Sequence, residues 1–205
     1  GVRRAVIASS SSVYGDTPTL PKTETMTLSP RSPYAATKAT GEAYLAAFQA
    51  SFGLETVALR YFNVYGPRQS PRSRYAAVVP LFLEATLAGR APVIHGDGEQ
   101  TRDFSYVGDT VDAVVRAASA PGASGQVMNV GGGGTRVSIL RLAQVIAGAV
   151  GWKGTPVHDP PRAGDVRHSL ADVRRAKALL DWEPRVSLEE GIARTLAAWP
   201  RPAGG

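Results

Sequence analysis

Short apolar runs bounded by Gly, Pro and Ser alternate along the chain with longer segments in which apolar positions recur three and four residues apart. Residues Arg4 to Ser9, Glu55 to Phe62 and Gln126 to Val130 read as strands, because brief, nearly continuous apolar runs suit strands covered on both faces. Helical periodicity marks Tyr34 to Phe52, Ala76 to Ala88, Val107 to Ala118 and Ser138 to Val150, with two shorter helices at Asp172 to Leu180 and Leu188 to Trp199. The helix at Tyr34 is well punctuated: Ser32 can cap it, Pro33 suits the first helical position, and a run of alanines propagates it. Strands alternating with helices predict an α/β fold built on a parallel sheet with right-handed crossovers. Loops rich in Gly, Pro and Ser at 15–32 and 64–74 are long enough to wall a site.

Composition narrows the classes. A chain of 205 residues, 43% apolar and 20% charged, can bury one good core or two small ones. It carries no cysteine, which excludes disulfides and thiolate-bound metal and fits a reducing cytoplasm; no metal site is expected. The longest apolar stretch, Ala76 to Leu83, is interrupted by Pro80 and closed by Glu84, too short for a membrane span, and the apolar run after Arg3 and Arg4 is too short for a signal peptide. The net charge of +6 comes mostly from arginines scattered among acids. With no basic stripe interleaved with aromatics, nucleic acid is not an expected partner.

One pattern carries chemistry. In SPYAATKATGE, Tyr34 precedes Lys38 by four residues, and a serine run, Ser9 to Ser12, ends an apolar strand upstream. Four residues along a helix place phenol and ammonium on one face, where the cation favours the phenolate. Free tyrosine titrates near ~10, so a phenolate at pH 7 costs roughly 4 kcal/mol, more than one lysine supplies. A second cation, such as an oxidised nicotinamide, and a hydroxyl donor, such as a strand-end serine, would supply the rest. Alternation along a strand points Ser10 and Ser12 one way and Ser9 and Ser11 the other.

With SSSSVYGD at 9–16, LRYFNVYGPRQ at 59–69, GDGEQTRDFSYVGD at 96–109, NVGGGGTRVSI at 129–139 and PPRAGDVRHSLADVRRAKALLDW at 160–182, the chain resembles the extended short-chain dehydrogenase/reductase superfamily, in its nucleotide-sugar epimerase and dehydratase group. The resemblance implies a Rossmann-like parallel sheet plus a smaller mixed α/β substrate domain. Residues 1–64 would be the remaining half of an NAD-binding domain, and 65–205 a nucleotide-sugar-binding domain from which about 103–131 returns to the first. The glycine-rich turn of such domains is not found near Gly1, and the Gly131 to Gly134 run matches an ordinary strand-to-loop junction of the family. The resemblance therefore implies that the N-terminal strands, about a third of a family member, are absent, and that the chain alone is inactive and holds NAD weakly.

It also implies roles. Ser10, Tyr34 and Lys38 would be catalytic: Tyr34 as base, Ser10 holding or relaying the proton, Lys38 binding the nicotinamide ribose. Ser9, Tyr61, Phe62 and Val64 would lie with Tyr34 and Lys38 against the cofactor. Ser12, Asn63, Arg102, Arg162 and Asp165 would meet a UDP-sugar, the arginines its diphosphate, with Val78, Val93 and His95 walling the base. The dehydratases of the group carry an Asp-Glu pair where this chain has Ser11 and Ser12, which favours the epimerase branch. Ser169 stands where a bulky tyrosine restricts other members to plain hexoses, so relaxed UDP-glucose/UDP-N-acetylglucosamine 4-epimerase activity is expected. A reductase, decarboxylase or dehydratase of nucleotide sugars, or a non-catalytic UDP-sugar-binding fragment, are the alternatives. A homodimer through the Tyr34 helix is the expected assembly.

Overall fold

The computed structural model describes residues 1–72, 77–162 and 166–200. Its central element is a parallel sheet of β1 (Arg4–Ser10), β2 (Glu55–Tyr61) and β7 (Gln126–Val130), in that order. The crossover from β1 to β2 is α1 (Pro33–Phe52), capped by Ser32, whose side chain accepts from Ala35 N, and ended by Gly53 at φ +67°. The register sets Ser10 beside Tyr61 and Tyr61 beside Val130, which brings three strand ends to one edge of the sheet.

Alternation along β2 sorts its two faces. Val57 and Leu59 pack with Met128 and Val130 against Ala113 and Ala117 of α3 (Val107–Ser119), and against Ala176, Leu180 and Trp182 in and after α5 (Arg174–Leu180). Thr56 and Arg60 turn to the other side and bond Gln49 and Glu42 of α1. A second core joins α2 (Val78–Leu87), α4 (Ile139–Val150) and α6 (Leu188–Ala197) through Val79, Phe82, Leu83, Leu142, Ile146 and Ile192. Two-stranded pairings flank it: β3 (Val64–Tyr65) with β6 (Ser105–Tyr106), β4 (Val93–His95) with β9 (Val157–Asp159), and β5 (Thr101–Arg102) with β8 (Val137–Ser138).

The main strands and helices fall where periodicity places them, with boundary shifts that have local causes. Strand β1 stops at Ser10, and Ser11–Tyr14 turn into a 3-10 helix. Ser12 therefore lies beside Ser10 because the chain turns there, and not through strand alternation. Helix α5 begins two residues later than the pattern suggests, because the Asp172 carboxylate accepts from Arg174 N ahead of the first turn. Ala76, the expected start of α2, lies outside the described residues.

Gly131 and Gly132 sit where neighbouring atoms leave no room for a side chain. A Cβ on Gly131 would lie 2.5 Å from the Ala171 Cβ, and one on Gly132 would lie 2.2 Å from the Phe104 carbonyl oxygen. Neighbouring protein atoms fill this close approach.

Candidate functional site

The ends of β1 and β2 and the start of α1 form one corner. Ser10 Oγ accepts from Ser12 N at 3.2 Å and from Ser12 Oγ at 2.9 Å. Tyr34, in the first turn of α1, is 57% exposed and available to a ligand. Lys38 Nζ lies 5.6 Å from the Tyr34 ring centroid and donates to Ala8 O at 2.7 Å. The ammonium thus ties the base-bearing helix to β1, with two further N–H bonds to give. No hydrogen bond between Ser10 and the Tyr34 hydroxyl occurs among the described residues.

Beneath this corner runs a buried polar network. Ser9 Oγ donates to Glu42 Oε1, and Arg60 forks onto the same carboxylate through Nε at 2.9 Å and Nη2 at 2.7 Å. Arg60 Nη1 donates to Tyr14 Oη at 2.9 Å, and Tyr14 in turn donates to Asn129 Oδ1 at 2.6 Å. Burial pushes the Tyr14 phenol up, with Arg60 acting against it, so Tyr14 stays a neutral donor. This network joins the serine turn, α1, β2 and β7. The Ser9 hydroxyl is committed to it and is buried, so Ser9 has only backbone to offer a cofactor.

Asn63 and Arg102 are shared by two cavities. One, of about 320 Å³, is walled by Asn63, Val64, Val78, Val93, His95, Arg102 and Arg162, with Gln100, Phe82 and Phe104 behind. The other, of about 180 Å³, is walled by Ser11, Ser12, Lys22, Asn63, Arg102, His168 and Ser169. Arg162 Nη2 donates to His95 Nε2 at 2.9 Å, and His168 Nδ1 bonds Thr101 Oγ1 at 2.9 Å. Ser169 is held by its own N–H, which donates to Thr101 O at 3.1 Å.

The fold therefore gathers Asn63, Val64, Val78, Val93, His95, Arg102 and Arg162 around one space, and Ser12 and Ser169 around its neighbour. Tyr61 is half-buried, its phenol pushed up by burial. Phe62 is wholly buried, its ring 6.3 Å from that of Tyr14. Asp165 lies outside the described residues.

Several residues of the site carry no clear mark in the sequence. Glu42 and Arg60 look like ordinary helix and strand charges, though Glu42 continues the face of Tyr34 and Lys38 by one further turn, a spacing that could have flagged it. Asp103 is wholly buried. Its carboxylate accepts from Gly132 N and Ala171 N, and burial pushes its pKa up to about 6 against those two bonds. It fastens the end of β7 to the segment behind Ser169. No cluster of three or more His, Cys, Asp or Glu suited to a metal occurs among the described residues.

A parallel sheet with helices on both faces, a tyrosine and lysine one helical turn apart at its strand ends, and an arginine-lined double cavity beside them define a Rossmann-type α/β protein with a candidate ligand site outside its strand ends. The match to known proteins makes this specific: residues 1–131 fit the NAD dependent epimerase/dehydratase family, and the chain belongs to that family. A UDP-glucose 4-epimerase of Mycolicibacterium smegmatis is 48% identical over 96% of this chain and 62% of its own length. A UDP-N-acetylglucosamine 4-epimerase from Methanobrevibacter ruminantium, solved with UDP-N-acetylmuramic acid, superposes with a TM-score of 0.91 at 41% identity over 96% of this chain and 62% of its own. A UDP-glucose 4-epimerase of Thermotoga maritima, solved with UDP-glucose, gives 0.92 at 40% identity over 97% and 63%. The chain thus spans about three fifths of the length of the curated relatives it matches. Relatives also include a decarboxylase and 4,6-dehydratases, so membership alone leaves the reaction open.

Proposed function

We propose that the native polypeptide carrying this sequence is an NAD-dependent 4-epimerase of UDP-glucose and UDP-N-acetylglucosamine. The observation that carries this reading is the pair of adjoining cavities that share Asn63 and Arg102, one of them walled by the serine turn beside Tyr34 and Lys38. No carboxylate is among the described residues lining the serine cavity, where the dehydratases of the group use an Asp-Glu pair, and this favours epimerisation.

The corner at the strand ends suits the nicotinamide end of NAD. Ligands of parallel sheets bind outside the carboxyl ends of the strands, and Lys38 there has N–H bonds left for ribose hydroxyls. Bound there, the nicotinamide supplies acceptance and return of a hydride at the sugar carbon. Tyr34 Oη takes the proton of the sugar 4-hydroxyl and later returns it. Ser10 Oγ holds that proton's path, and Lys38 stabilises the phenolate. Arg102 and Arg162 fork onto the diphosphate, Val78, Val93 and His95 line the base, and Asp165 takes the ribose. In this reading residues 1–64 and about 103–131 serve the cofactor, and the rest of the chain serves the nucleotide sugar.

Small Ser169 leaves room for a 2-N-acetyl group. No described helix is long and apolar enough to cross a membrane, and a cytoplasmic homodimer joined through α1 completes the reading. The test is conversion of UDP-glucose to UDP-galactose by the native polypeptide with NAD, followed by proton NMR. Tyr34→Phe should lower turnover by at least about a hundredfold, and Ser169→Tyr should remove the N-acetylated substrate selectively. A net change in NADH during turnover, consumption for a reductase or accumulation for an oxidative decarboxylase, would point to one of those reactions instead.

A further inference from the structure

Of the four lysines, Lys22 alone is buried, at 3% exposure. Its backbone is fixed on both sides. The N–H donates to Leu170 O at 2.7 Å, and the carbonyl accepts from Asp172 N at 2.9 Å and Asn129 Nδ2 at 2.8 Å. The ammonium donates to the carbonyl and the hydroxyl of Thr17, both neutral acceptors. No carboxylate lies within ion-pair distance of it among the described residues. Burial pulls its pKa down, and the charge of Asp16 is the opposing influence. A buried cation given only neutral acceptors has lost its water without gaining a counter-charge.

Lys22 lines the serine cavity together with Ser11, Ser12, Asn63 and Ser169, beside the hydroxyl of Ser10. Besides Lys22 the cavity holds the Arg102 guanidinium, the His168 ring, several hydroxyls and an amide, and none of its described lining residues is acidic. We propose that Lys22 is a specificity-determining residue that gives this cavity a preference for a nucleotide hexose bearing a carboxylate over its neutral counterpart. The hydroxyls and the Asn63 amide serve a sugar ring, and the carboxylate supplies the counter-charge that the fold withholds from Lys22. The inference rests on the nucleotide-sugar reading of the site and deepens it by naming the sugar's charge.

The test compares kcat/KM for UDP-glucuronate and UDP-glucose in the native polypeptide and in Lys22→Met, with UDP binding by calorimetry as the check on fold. The wild type should favour the uronate. The ratio of the two kcat/KM values should fall by about tenfold or more in Lys22→Met, chiefly through KM for the uronate. A wild type that turns over UDP-glucose with no preference for the uronate would overturn the inference and leave the epimerase reading standing. An equal loss on both substrates in Lys22→Met, with UDP binding gone, would also overturn it, by making Lys22 a tether of the Thr17 loop and nothing more. Failure of the wild type to use or bind either nucleotide sugar would remove the site reading and the inference together.

Discussion

Asp103 sits in the interior with two backbone donors and, among the described residues, no cation paired to it, so its charge is a liability that the protein keeps for position. Its folded pKa of about 6 exceeds the ordinary carboxylate value of 3.8, so the folded state holds this proton more tightly than the unfolded chain does. Its contribution to stability is therefore complete below about pH 4 and is lost as pH rises to about 6, in all about 3 kcal/mol. Asp97, Asp172 and Glu183, whose pKa values are lowered chiefly by hydrogen bonds from Arg167, Arg174 and Lys177, push the other way. The difference between wild type and Asp103→Asn isolates the effect. Urea midpoints measured from pH 4 to 7 should show wild type losing ground to the variant across that window. Parallel curves would mean that Asp103 titrates in the fold as it does in the unfolded chain. The Glu42 and Arg60 pair gives a second expectation. Arg60→Met strands a buried carboxylate and should cost about 3–5 kcal/mol, whereas Glu42→Leu with Arg60→Met should cost clearly less. A double-variant loss equal to the sum of the two single-variant losses in urea unfolding would show that the two charges are uncoupled.

Helix α1 has two tasks on different faces. Its inner face holds β1 and β2 through Lys38, Glu42 and Gln49. Its outer face presents Tyr44, Phe48 and Phe52, spaced four apart and 63%, 46% and 76% exposed, with the rings of Phe48 and Phe52 5.4 Å apart. An apolar stripe of this kind on a helix facing water suits a second copy of itself. Phe48→Glu should weaken self-association by at least about tenfold in sedimentation equilibrium while leaving the far-ultraviolet dichroism intact. An unchanged distribution of species would place any dimer contact elsewhere. The inner tasks were only partly legible. Ser32, Pro33 and the alanines announce the helix, and Tyr34 with Lys38 announce the chemistry, because both signals are local. Glu42 reads as a solvated charge until Arg60, distant in sequence, is folded onto it. The two- and three-residue strands such as Val64–Tyr65 and Thr101–Arg102 are too short to carry a period, and exist because their partners are brought to them.

Across the molecule, the two cavities are assembled from segments near Asn63, Val78, His95, Arg102, Arg162 and Ser169, so their walls exist only when segments far apart in sequence are folded together. A ligand there is linked to the global transition. UDP at a hundredfold excess over its dissociation constant should raise stability by about 2.7 kcal/mol, read as a rise in melting temperature. Arg102→Met and Arg162→Met should each erase most of that rise. A melting curve indifferent to UDP would disqualify the cavities as a nucleotide site.

The serine turn carries a consequence for how this chain is able to change. Ser10 Oγ closes the turn that ends β1 by accepting from Ser12 N, and the proposed reaction calls on the same oxygen. A substitution at this position is filtered twice, once for the bend and once for the reaction, and the two filters favour different replacements. Asparagine or aspartate would keep the bend, and threonine would keep the hydroxyl. Divergence toward new reactions is thus steered away from Ser10 and onto Ser11 and Ser12, whose side chains open on the cavity without that double duty.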